Sequence, residues 1–145
     1  MIEYGTLKDD ELPELLELYK QLNPNDDAAS EAAAKNIWAD IKRQNIQYFV
    51  ARKDGKILAS CYLCIIPNLT RGGSAIGFIE NVITDAAHRR MGLGKNVMQN
   101  AIAHAKKQGC YKVVLQSGNN RAEAHEFYAA LGFDGTSKKA FEMRW

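Results

Sequence analysis

With 145 residues, 46% of them hydrophobic, the chain is long enough for one domain that buries roughly two thirds of the surface its unfolded form exposes. Nineteen basic against 17 acidic residues leave a net charge of +2, which excludes the broad cationic face of a nucleic-acid binder, so any anion site must be local. No apolar run approaches the roughly 20 residues that span a bilayer, and MIEYGTLKDDELPELL lacks the basic flank and apolar stretch of a signal peptide, so a cytoplasmic protein without a membrane partner is expected.

MIEYGTL alternates like a short strand. Asp9 or Asp10 is placed to cap a helix carrying Leu12, Leu15, Leu16, Tyr19 and Leu22 at helical spacing, which Asn23-Pro24-Asn25 ends. An alanine-rich helix then runs from Asp26 or Asp27 to about Gln44, with Ile37, Trp38 and Ile41 on one face. IQYFVARKDGKILASCYLCIIP reads as a β-hairpin about Asp54-Gly55, and SAIGFIENVIT as a central strand. Gly92 to Gln108 is helical, with Leu93, Val97, Ala101 and Ala105 in one stripe and Gly109 as the stop. YKVVLQS is a short buried strand, Arg121 to Leu131 a helix ending at Gly132, and KAFEMRW a final strand. The order β-α-α-β-β-β-α-β-α-β predicts an α/β fold, one mixed sheet flanked by helices, as a single domain over residues 1–145.

Cys61, Cys64 and Cys110 are an odd set, which suits free thiols in a reducing compartment. Cys61 and Cys64 have CxxC spacing, but on a strand residues three apart point to opposite faces, so buried apolar cysteines are expected in place of a metal or redox site.

HRRMGLGKNVM, residues 88–98, joins the central strand to the long helix. Three phosphate motifs compete for it. A Walker A loop needs Gly at Arg89 and Ser or Thr at Asn96, and a GxGxxG dinucleotide turn needs Gly or Ala at Val97, so spacing rejects both. What remains is Arg89-x-x-Gly92-x-Gly94. Glycines there let the backbone approach an anion, free N–H groups of the first helical turn point at it, and Arg89, Arg90 and Lys95 add charge. Such a turn fits a pyrophosphate; an ordinary glycine turn with solvated basic residues is the alternative at this point.

The turn in ENVITDAAHRRMGLGKNVM resembles the signature of the GNAT superfamily of acyl-CoA-dependent N-acyltransferases: Gln or Arg, two residues, Gly, one residue, Gly or Ala. AHEFYAALGF, residues 124–133, resembles the family's later helix, with a tyrosine shortly before Gly-Phe. With the element order, the resemblance covers nearly the whole chain. It implies acetyl-CoA as co-substrate and no metal. The pyrophosphate would be held by Arg89 and the backbone N–H groups of Arg90, Met91, Gly92, Leu93, Gly94 and Lys95. Pantetheine would lie along the main chain of Val82, Ile83 and Thr84, where the fourth and fifth strands of the family splay apart.

The implied chemistry is acetyl transfer from a thioester to a primary amine, which needs a neutral amine, a stabilised oxyanion and a protonated leaving thiolate. Glu80, with the same strand parity as Phe78 and Val82, is the candidate base or substrate-orienting carboxylate; a strand carboxylate paired with a neighbouring cation is the plainer reading. A backbone N–H near Ile83 or Thr84 would meet the oxyanion. Tyr128 matches the tyrosine that donates to the departing sulfur, set against an aromatic on a buried helix face. Many family members carry Asn where Arg121 stands here, seven residues before Tyr128. Asn119 or Asn120 is the substitute, Asn120 being the cofactor-binding candidate, and Arg121 can instead reach a cofactor phosphate. His88 and His125 read as surface or packing residues.

The resulting expectation is an acetyl-CoA-dependent N-acetyltransferase, against a non-catalytic acyl-CoA-binding sensor. The acceptor side would be built by residues 22–29 and 66–73. There NPNDDAASE is acidic, which suits a cationic amine, although acidic residues at a helix start more often serve as caps. Small metabolite, antibiotic, polyamine and peptide N-terminus stay open as acceptors, and what the resemblance implies for assembly is a homodimer through edge strands or the C-terminal strand.

Overall fold

Four of the β-prone runs pair antiparallel in chain order: β1 (Glu3–Thr6), β2 (Ile46–Lys53), β3 (Lys56–Ile66) and β4 (Ala75–Thr84). The fifth, β5 (Cys110–Val114), joins β4 in parallel and completes a mixed five-stranded sheet of order β1-β2-β3-β4-β5. At the hairpin, Asp54 and Gly55 both have positive φ, 51° and 76°, the type I′ geometry whose twist matches the strands it joins. A parallel pair needs a crossover, and α3 (Leu93–Lys107) supplies it. The computed structural model describes all 145 residues. The sheet with α1 (Leu12–Tyr19), α2 (Glu31–Lys42) and α3 forms one compact unit, Met1–Val114, and α4 (Ala122–Ala130) belongs to a second, Leu115–Trp145.

Strand alternation sorts the first unit's core into two layers. Tyr48 and Val50 of β2 pack with Leu15 and Leu18 of α1, Trp38 of α2 and Ile83 of β4. Phe49, between them, faces the other way, its ring 5.6 Å from His104 of α3. That side receives the buried stripe Leu93, Val97, Met98, Ala101 and Ala105, so the helical spacing in the sequence marks a true core face. Cys61 pairs with Phe49 in register and Cys64 with Ile46, which puts the two thiols on opposite faces, and all three cysteines are free.

Three expectations are corrected. α2 begins at Glu31 and is capped by Ser30, whose Oγ accepts the Ala33 N–H at 3.1 Å, so Asp26 and Asp27 cap nothing. α1 is preceded by a short 3-10 turn, Asp9–Glu11, and Asp9 is drawn off to the Trp38 Nε1 donor at 2.8 Å and to Lys42 at 3.0 Å in place of capping. KAFEMRW forms no strand. Phe141, Met143 and Trp145 alternate as a strand's residues would, but all three are exposed, and an extended segment becomes a strand only when a neighbour takes its N–H and C=O groups.

Candidate active site

β4 carries the irregularity that shapes the site. Tyr62 of β3 stands opposite Glu80 and Ser60 opposite Ile83, so Asn81 and Val82 fill the space facing Cys61 alone, and Asn81 takes φ 52°. This is a β-bulge, in which one extra residue interrupts the alternation. Ile83, not Val82, therefore shares the face of Glu80, and it does so buried beside Tyr48 and Val50. The expected Glu80–Val82 parity fails for that reason, and whatever Ile83 offers a ligand is backbone.

Glu80 is half-buried. Its charge acts on Tyr62, whose hydroxyl is pushed above the ordinary tyrosine range first by burial and then by Glu80. Tyr62 stacks on Tyr48 at 5.1 Å between centroids, and burial raises Tyr48 to about 12. Tyr19 of α1 is raised further by burial; its hydroxyl makes no hydrogen bond of good geometry, although the Asn81 side chain is close enough to act on it. Glu80 thus sits at the margin of a tyrosine layer that stays neutral at ordinary pH.

On its other edge β4 outruns its neighbour. Pairing with β5 covers Ala75 to Phe78 only, whereas β4 continues to Thr84. Over Ile79–Thr84 the main chain on that side has no β5 partner, and buried backbone polar groups demand one. Val82, Ile83 and Thr84 all lie in this stretch.

Beyond β4, Asp85 caps a 3-10 turn by accepting the Ala87 N–H at 3.1 Å and meets His88 Nδ1 at 2.6 Å. Gln21, just past α1, reaches the same place: its Nε2 donates to Asp85 Oδ1 at 2.7 Å and its Oε1 accepts the Ala86 N–H at 2.9 Å. Hydrogen bonds from Gln21 and His88, then burial opposing them, leave the Asp85 carboxyl below its ordinary range. His88 is therefore tied down within the loop.

The turn itself is exposed at Arg89, Arg90, Met91 and Gly92. Arg90 and Gly92 have positive φ, 63° and 78°, and Gly92 is the N-cap of α3, with no side chain capping the helix. The first intrahelical bond is Asn96 N–H to Gly92 O at 3.1 Å, so the amides of Leu93, Gly94 and Lys95 precede the ladder and have no intrahelical acceptor. Leu93 anchors the turn with a buried side chain while its amide stays at the mouth. A Cβ on Gly92 would meet no atom within 4 Å, which leaves open space before the helix. Arg89, Arg90 and Lys95 form no ion pair with any carboxylate of the chain, and the first turn of α3 has no acidic residue. An open backbone cradle at a helix's positive end, ringed by unpaired cations, fits a pyrophosphate.

In the second unit, Arg121 precedes α4 and Tyr128 lies on it, half-buried, with ring centroids 5.3 Å from Phe127 and 6.1 Å from Phe133. The Phe133 N–H returns to Tyr128 O at 3.1 Å, and Gly132 takes φ 102° to close the helix. His125 Nε2 bonds Gly118 O at 2.8 Å, a loop-fastening role. Asn120 is exposed in the turn before α4.

Both segments expected on the acceptor side border clefts. One of about 100 Å³ lies between α1 and α2, lined by Leu16, Ala29, Ile37, Trp38 and Ile41, and the other of about 380 Å³ is edged by Pro67, Asn68, Leu69 and Gly73. No three His, Cys, Asp or Glu side chains gather as metal ligands, and no helix is long and apolar enough to cross a membrane.

A mixed sheet whose fourth strand outruns the fifth, and which leads through an uncapped glycine turn into a crossover helix, defines the frame of an acyl-CoA-dependent transferase. Comparison with known proteins agrees. The acetyltransferase (GNAT) family profile matches residues 12–133. Glucosamine 6-phosphate N-acetyltransferase of Trypanosoma brucei brucei is 35% identical over 91% of this chain and 88% of its own. A solved structure from Agrobacterium tumefaciens strain C58 has TM-score 0.94 at 38% identity, covering 99% of both chains. The aminoglycoside N-acetyltransferase AAC(6')-Iy, solved with CoA, shares the fold at TM-score 0.83 and 19% identity over 99% of this chain and 95% of that one. The chain belongs to the GNAT acetyltransferase family, and its activity is N-acetyl transfer from acetyl-CoA.

Proposed function

We propose that residues 1–145 act as one acetyltransferase domain that moves the acetyl group of acetyl-CoA directly to the primary amine of a small molecule or peptide. The observation that carries this reading is the edge of β4 beyond Phe78, which continues to Thr84 without β5. Val82, Ile83 and Thr84 offer N–H and C=O groups there to an amide-bearing arm, as a strand would. Arg89 and the main chain of Arg90, Met91, Gly92, Leu93, Gly94 and Lys95 hold the pyrophosphate, with Asn120 as a further cofactor contact. When bound, acetyl-CoA supplies the thioester carbonyl that the amine attacks.

Glu80 takes the proton an ammonium must lose, directly or through water, or holds that ammonium in place. A backbone N–H at Ile83 or Thr84 faces the negative charge that develops on the carbonyl oxygen. Tyr128, assigned through its place in AHEFYAALGF, protonates the departing sulfur. Glu80→Gln is expected to lower kcat by about 10²-fold or more and Tyr128→Phe by about tenfold to 10²-fold, each with acetyl-CoA affinity within about twofold. The assay is free thiol release over a panel of glucosamine 6-phosphate, an aminoglycoside, a polyamine and a peptide N-terminus. Binding of acetyl-CoA with no turnover on any amine, and no effect of either substitution, would transfer the reading to a sensor.

A homodimer through the C-terminal segment, where Phe141, Met143 and Trp145 are exposed, is part of the same proposal.

A further inference from the structure

We propose that Gln21 is a positioning residue for the cofactor turn, acting through Asp85; this rests on the reading that the turn holds the pyrophosphate of coenzyme A. The turn has no strand pairing and no capping side chain at Gly92, so something else must fix where its amides stand. Leu93 anchors its far end in the core. At the near end Asp85 is the last residue held by the sheet, through its N–H to Leu58 O at 2.7 Å, and the chain leaves it for Arg89 across a single 3-10 turn.

The N–H groups of Asp85, Ala86, Ala87 and His88 and both carboxylate oxygens of Asp85 all have partners, and Gln21 is the group that comes from elsewhere. Its amide makes a two-point contact, Nε2 to Asp85 Oδ1 at 2.7 Å and Oε1 from the Ala86 N–H at 2.9 Å. Asp85 spends its other oxygen on the Ala87 N–H at 3.1 Å and on His88 Nδ1 at 2.6 Å. Gln21 therefore fixes the carboxylate that fixes the 3-10 turn, and the turn sets the approach of Arg89 and Arg90. A primary amide donates to the carboxylate through its nitrogen and accepts from the N–H through its oxygen at once. Gln21 is itself held two residues past α1, its N–H bonding Leu18 O at 3.0 Å, immediately before residues 22–29 on the acceptor side. The same contact thus ties the cofactor turn to the segment that leads into the acceptor loop.

The test is calorimetric binding of coenzyme A, with amide hydrogen exchange of the ligand-free protein. Gln21→Ala and the isosteric Gln21→Glu, which sets a second carboxylate against Asp85, should each weaken coenzyme A about fivefold to twentyfold. They should speed exchange over residues 86–92 and leave Val97 to Lys107 as protected as in the wild type. Gln21→Glu combined with Asp85→Asn reverses the bond, the Asn amide now donating to Glu, and should restore affinity to within about twofold. Wild-type affinity in both single variants overturns the proposal, as does a loss the double variant leaves unrepaired. A wild-type protein that does not bind coenzyme A overturns the reading of the turn and the proposal with it.

Discussion

Gly92 holds the turn in a left-handed conformation, φ 78°, with free space where a side chain would go. The constraint there is torsional, because nothing stands in the way. Gly92→Val should lower stability by about 1–2 kcal/mol and displace the amides after it, which a thermal melt and a coenzyme A titration would register together. Cys61 gives a second residue-scale test. Burial pushes its thiol up to about 12, so at pH 8 it is almost wholly protonated, and a thiolate-directed reagent should label it only after denaturant opens the core. Not every such position is legible in the sequence. Gly92 announces itself, because a glycine before a helical stripe marks a turn. Asn81 does not: its φ of 52° answers a register shift against β3, and registers between strands are not written in either strand alone. The parity of Val82 departs from simple alternation for the same reason.

At the scale of elements, two contacts show how the helices are held on the sheet. Gly77 on β4 faces α3, where an added Cβ would stand 3.1 Å from Leu63 Cδ1, 3.2 Å from Val113 Cγ2 and 3.5 Å from Ala105 Cβ. Gly77→Val should cost about 1–3 kcal/mol by overpacking, read as a lowered denaturant midpoint. Glu11, just before α1, grips Arg52 of β2 at 2.5 and 2.9 Å, and Arg52 also donates to Thr6 O of β1 at 2.7 Å. Burial alone would raise the Glu11 carboxyl, but Arg52 and the Lys8 N–H outweigh it and hold it below its ordinary 4.5. A depressed carboxyl stabilises the fold above its unfolded-state value, and that contribution is lost as the pH falls through the lower, folded one. The wild-type melting temperature should accordingly fall more steeply below about pH 4.5 than that of Glu11→Gln, and parallel curves would exclude the role. Element types were legible where one residue pattern had one outcome: the stripe of α3, the Asp54-Gly55 hairpin, the alternation of β2. KAFEMRW has the pattern of a strand and lacks a neighbour to pair with, and a pattern cannot supply that neighbour.

Over the whole molecule, the family's profile spans residues 12–133 and so takes in both the glycine turn and the Tyr128 helix, the two stretches through which the chain resembles acyl-CoA enzymes. The contact between Gln21 and Asp85 joins positions 64 residues apart and left no trace in either local pattern. Removing residues 139–145 should convert the proposed dimer to monomer in analytical ultracentrifugation, and an unchanged sedimentation coefficient would reject the second copy as partner of the tail. The claim on which the rest depends is that the turn holds coenzyme A and leaves the chemistry to other residues. Gly94→Glu tests it most directly. Gly94 is the second residue of α3 and is absent from the positive-φ positions, so its backbone is one any residue adopts, and a carboxylate there is favoured by the helix dipole while repelling a phosphate. The account predicts a melting temperature within a few degrees of wild type and acetyl-CoA binding weakened by about 10²-fold or more in calorimetry. Wild-type affinity in a folded Gly94→Glu protein would contradict it.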